Sequence, residues 1–123
     1  MNIFELESNI NALIDMSTSD IQFNHMHVDV MDNSYVPRYG MYPELVKQMQ
    51  DKYGTKLHFH THIMVDSAKS TIEYFAKYSD ILYFHYNSVK HPSAMIDIIH
   101  DNDCKAGIVI DRHNLPEDIL GIE

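Results

Sequence analysis

Between residues 25 and 31 polar and apolar side chains alternate, with His25, His27, Asp29 and Met31 at odd positions and Met26, Val28 and Val30 at even ones. A period of two predicts a strand whose two sides meet different surroundings. Residues 57–65 repeat the pattern, setting Leu57, Phe59, Thr61, Ile63 and Val65 against His58, His60, His62 and Met64. Elsewhere the spacing is helical. Residues 3–16 place Ile3, Leu6, Ile10, Leu13 and Ile14 on one stripe, and Ser17-Thr18-Ser19-Asp20 ends it. Pro43 suits the first turn of a helix reaching Tyr53, with Gly54 at the C-cap position. Residues 67–78 and 92–101 predict further helices, 81–85 and 106–110 short buried strands, and 115–120 the start of a last helix.

The order α-β-α-β-α-β-α-β-α predicts an α/β fold, its parallel strands joined by right-handed crossovers. No Pro/Gly/Ser-rich linker divides residues 1–123, so a single domain is expected. Strands of a doubly wound sheet are covered on both faces and read as continuous apolar runs. The histidine-rich strands are polar on one face, which favours a barrel, where the inner face near the C-terminal rim carries the site.

Composition narrows the function. Apolar residues make up 45% of 123, enough for a modest core. Eighteen acidic against nine basic residues give a formal charge of −9, which repels nucleic acid and anionic membranes, so neither is expected as a partner. No apolar run approaches the roughly 18 residues of a membrane span. The opening MNIFELESNI lacks the order of an export signal. The lone Cys104 excludes an internal disulfide and predicts a reducing compartment, the cytoplasm.

His27 and Asp29 are two residues apart on a strand, so both side chains point to one side and can share an ion. His62 holds a comparable place on the next strand, about 4.8 Å away in a parallel pair. Imidazole nitrogen with carboxylate oxygen suits Zn, Fe, Mn or Co rather than Ca or Mg. Spacing alone leaves a second reading open, in which these are pairing and packing residues at a strand end. His25, His58 and His60 lie earlier on the same faces and read as core histidines or as supports behind the ligands. Met31 and Met64 read, by spacing alone, as core.

The words HVDVMD (27–32) with VP (36–37), HTHIMV (60–65), YFH (83–85) and CKAGIVI (104–110) occur in this order along nearly the whole chain. Together they resemble the ribulose-phosphate 3-epimerase family. That resemblance implies a partial TIM (β/α)8 barrel of about four βα units, corresponding to the family's strands two to five. It implies one divalent transition metal held by His27, Asp29 and His62. Asp29 becomes one of two acid/base carboxylates, and His62, Met31 and Met64 become contacts to a ketose-phosphate substrate. Inverting a carbon beside a ketone requires a proton to leave one face and return to the other. A divalent ion stabilises the charge that develops on the substrate oxygens in between.

The chain departs from the family pattern at Asn87, where glutamate is usual, at Asp111-Arg112, where Asn-Pro is usual, and at Tyr42, where glycine precedes proline. Relative to the family, the first strand and strands six to eight are expected to be missing. The second aspartate, which is also the fourth metal ligand, and the phosphate-gripping loops would go with them. Activity of these residues alone is then expected to be impaired. Four strands with two exposed edges and an uncovered apolar face predict a homo-oligomer, since two copies could close an eight-stranded barrel. A non-catalytic metal-binding or oligomerisation half-barrel is the alternative. A related decarboxylase or aldolase is disfavoured because His60-Thr61-His62 stands where those enzymes carry Asp-x-Lys.

Overall fold

A computed structural model of the protein describes residues 3–17 and 22–111. The two alternating segments are strands, as their periodicity predicts. In chain order the elements are α1 (Ile3–Asp15), β1 (His25–Met31), α2 (Pro43–Tyr53), β2 (His58–Met64), α3 (Lys69–Phe75), β3 (Ile81–His85), α4 (Pro92–His100) and β4 (Lys105–Val109). The strands form one parallel sheet in the order β1-β2-β3-β4.

Strand parity decides which side chains the helices cover. Val28, Val30, Phe59, Ile63, Leu82 and Phe84 are buried in one core with α2, α3 and α4, which contribute Val46, Met49, Ile72, Phe75, Met95 and Ile99. Thr61 shares this buried face, and its hydroxyl is satisfied by Ser79 Oγ at 2.6 Å, which also bonds the Phe75 carbonyl. The opposite parity lies on a face that, among the described residues, no helix covers. Registry sets His25 beside His58, His27 beside His60, Asp29 beside His62 and Met31 beside Met64. Ile81, Tyr83 and His85 continue that face on β3, and Gly107 leaves room for the Tyr83 ring, which a Cβ there would meet at 2.4 Å.

Several local expectations are corrected. The helix expected over 67–78 starts at Lys69, because Ser67 takes φ 53°, and it tightens into a 3-10 turn at Ala76–Tyr78. Gly54 does cap α2, but in the right-handed region at φ −61°, so its left-handed freedom is not used. The last strand begins one residue early, at Lys105. Strands β3 and β4 are not buried on both sides, since Ile81, Tyr83 and all of β4 after Lys105 are half-buried. On α1, Ile10 is buried while Leu13 is 44% exposed, a narrower stripe than expected. Tyr42, the departure before Pro43, caps α2 with extended backbone (φ −95°, ψ 155°) that any residue adopts. The helix expected over 115–120, and Arg112, lie outside the described residues.

The uncovered face is not the apolar surface expected from counting strands. Along β1 and β2 it carries His25, His27, Asp29, His58, His60 and His62, because in these segments parity sends the apolar set toward the helices. One edge is also partly shielded. The loop after β1 folds back along it, with Gly40 N–H donating to the Met31 carbonyl and Met41 N–H to the Asp29 carbonyl, each at 2.9 Å. A Cβ at Gly40 would stand 2.4 Å from the Asp29 carbonyl oxygen, a backbone atom that cannot step aside. Gly40→Ala is therefore expected to push the loop off β1 and cost about 1–3 kcal/mol, as overpacking does. Urea denaturation checks this, and an unchanged midpoint would contradict it.

Candidate metal centre

His27 and Asp29 project from the same side of β1, and registry brings His62 alongside Asp29. The imidazole Nε2 of His27 lies 2.8 Å from Asp29 Oδ1, and His62 Nδ1 lies 3.8 Å from the same oxygen. One ligand atom from each of the three residues falls within 4.8 Å of the others. The two nitrogens and one carboxylate oxygen fit a divalent transition metal. Their side chains are 57%, 48% and 24% exposed for His27, Asp29 and His62, so the site opens toward solvent on one side. Burial, and then the neighbouring His85 ring, hold the His62 pKa below its ordinary value, although Asp29 acts in the other direction. A neutral imidazole keeps a lone pair free for a metal at neutral pH.

Behind His62 is a group of residues to which sequence reasoning gave no role. His85 Nε2 faces His62 Nε2 at 2.9 Å, their rings stacked with centroids 5.0 Å apart. His85 is buried, and burial lowers its pKa too, against the opposing charge of Asp111. Tyr35 OH sits 3.2 Å from His85 Nδ1 and donates to Asp111 Oδ2 at 2.9 Å. Burial, followed by the hydrogen bond to Asp111, pushes the Tyr35 phenol up to about 12, so it stays protonated. Asn87 reaches the same Asp111 oxygen at 3.4 Å. The parity of Ile81, Tyr83 and His85 could have set His85 on the site face. Nothing local to Tyr35 marks it, because it comes from the loop after β1.

The other expected residues fall as follows. Met31 and Met64 are half-buried partners across β1 and β2, two residues and so about 7 Å beyond Asp29 and His62 toward the strand ends. His25, His58 and His60 are not core among the described residues. His25 and His58 are exposed and His60 half-buried, because their parity sets them on the uncovered face. His25 Nδ1 meets His60 Nε2 at 3.1 Å, and His58 lies 3.9 Å from Asp80. A cleft of about 660 Å³ runs between the loops leading into α3 and α4, lined by Asp66, Lys69, Ser88, Lys90 and His91 among others. None of His27, Asp29, His62, Met31 or Met64 lines it.

A model of the ribulose-phosphate 3-epimerase family matches residues 5–120. A ribulose-phosphate 3-epimerase of Helicobacter pylori is 33% identical over 104 residues, covering 84% of this chain and 46% of that protein. Those of Escherichia coli K12 and Buchnera aphidicola from Schizaphis graminum are each 34% identical, covering 68% and 69% of this chain and 37% of their own length. The chain thus spans less than half the length of these relatives.

Proposed function

This chain belongs to the ribulose-phosphate 3-epimerase family, a family of isomerases, and we propose that His27, Asp29 and His62 hold a divalent metal beside a ketose phosphate whose C3 proton Asp29 transfers. The observation that carries this reading is the convergence of the three side chains within 4.8 Å on one sheet face. The substrate pair is D-ribulose 5-phosphate and D-xylulose 5-phosphate, or the allulose and fructose 6-phosphates.

A bound Zn, Fe, Mn or Co ion supplies positive charge next to the substrate oxygens, where negative charge grows as the proton leaves. Asp29, about half exposed, presents its carboxylate toward the open side. It removes the proton on one face, or returns it there. Met31 and Met64 form an apolar wall at the strand ends that limits how water approaches the reacting carbon. The opposite face needs a second acid/base group, which this triad does not contain, so low turnover is expected of these residues alone. The single cysteine, Cys104, is a free thiol, in keeping with a reducing compartment such as the cytoplasm. Among the described residues no helix is long and apolar enough to cross a membrane.

The test is proton exchange. With ribulose 5-phosphate in D2O and added Mn²⁺, Zn²⁺, Fe²⁺ or Co²⁺, deuterium is expected at C3 faster than the epimer forms, because one carboxylate works one face. Metal uptake with no exchange would overturn the proposal in favour of a non-catalytic metal-binding module.

Self-association completes this reading. Among the described residues the outer edge of β4 is unpaired in the sheet, and no helix covers the site face. A dimer or larger species is expected at micromolar concentration by light scattering. A cooperatively folding 14.3 kDa monomer would contradict it.

A further inference from the structure

Tyr35 has a single hydroxyl proton, and two groups compete for it. Asp111 Oδ2, at 2.9 Å, is a carboxylate that can only accept. The proton therefore goes to Asp111, and Tyr35 can meet His85 Nδ1, 3.2 Å away, only as an acceptor. His85 must then carry its proton on Nδ1, which leaves a lone pair on Nε2. That lone pair faces His62 Nε2 at 2.9 Å, so His62 in turn carries its proton on Nε2. The remaining lone pair of His62 is on Nδ1, the nitrogen that lies 3.8 Å from Asp29.

We propose that His85 is a positioning residue: oriented by Tyr35 and Asp111, it accepts a hydrogen bond from His62 Nε2 and so fixes His62 in the tautomer whose Nδ1 is free to bind the metal. The inference rests on the metal-site reading above and adds the residues that make His62 a ligand of fixed orientation. The geometry suits that task. The His62 and His85 rings are inclined by only 19°, Tyr35 packs on His85 with centroids 4.6 Å apart, and His85 is 8% exposed, so it has little freedom to turn. Ligating histidines are ordinarily held this way through their second nitrogen, and loss of such a partner typically costs about 10- to 100-fold in metal affinity.

The experiment uses two readouts on the full chain. Long-range ¹⁵N–¹H correlation spectra of the metal-free protein at about pH 8, above the ordinary imidazole pKa of roughly 6.5, report the tautomer of His62. A bare Nδ1 and a protonated Nε2 are expected; a protonated Nδ1 overturns the proposal. Zn²⁺ affinity is then measured for wild type, His85→Leu and His85→Gln. Leucine removes the acceptor and is expected to weaken Zn²⁺ by about 10- to 100-fold. Glutamine places a carbonyl oxygen near the former Nε2 and is expected to restore most of that loss. His85→Leu that folds and binds Zn²⁺ like wild type would overturn the proposal, as would equal losses in both variants. If His85→Leu does not fold, the wild-type tautomer decides. Failure of wild type to bind Zn²⁺ would count against the metal site, whereas the tautomer is read without metal.

Discussion

His62→Ala is expected to abolish divalent-metal binding in this chain, while His91→Ala leaves it intact. Only three ligands converge among the described residues, and His62 is the one that β2 contributes. Its loss leaves His27 and Asp29, two neighbours on one strand that enclose an ion from one side. Removing an outer partner of a ligand costs about 10- to 100-fold, so removing the ligand itself costs more, from a site already weakened by its small ligand count. His91 is exposed at the start of α4 and is not part of the triad, so it controls for the general affinity of surface histidines. Calorimetric titration with Zn²⁺, or the visible spectrum of Co²⁺, reads the result. Equal metal content in wild type and His62→Ala would sink the assignment.

The second large effect concerns Asp29. A positioned acid/base group contributes typically 10²- to 10⁴-fold, and in the proposed site Asp29 would hold the metal as well, so Asp29→Asn is expected to lose both contributions. In the unmodified chain, turnover is expected several orders of magnitude below that of a full-length relative. Joining these residues to the remaining barrel strands of such a relative should recover the activity, and Asp29→Asn in that chimera should abolish it again. The comparison is made by coupled assay, alongside metal content, so that lost chemistry is separated from lost metal. Turnover by the unmodified chain within about tenfold of a full-length relative would mean that the second carboxylate is present after all. Asp111, two residues beyond β4 and already within the hydrogen-bonded group around His85, is where it would then be sought.

Much of the fold and of the metal triad is legible along the chain. A strand turns over every second residue, so the alternation at 25–31 and 57–65 is enough to sort Val28, Val30, Phe59 and Ile63 from His27, Asp29 and His62. Proline at the start of α2 and α4 and the spacing of Leu45, Val46 and Met49 are equally local signals. The shared words carried the family, and with it the expectation that these three residues hold a metal.

Other features had no local signal because they depend on the distance between segments far apart in sequence. Periodicity sends His62 to the correct face of its strand; register, which only the assembled sheet sets, decided that it stands beside Asp29. The positive φ at Ser67 that shortens α3 goes with a turn whose backbone is tied to Ser88, twenty-one residues on. The fold-back of Gly40 onto β1 likewise came from packing. The support behind His62 is the clearest case. Tyr35, His85 and Asp111 come from a loop, the end of β3 and the segment after β4, 50 and 76 residues apart by Tyr35's count. The sequence by itself thus determined the family, the strand faces and the residue types of the site. Tertiary structure alone decided which partner stands behind His62, because only packing brings the ends of separate strands and a distant loop to the far side of its ring.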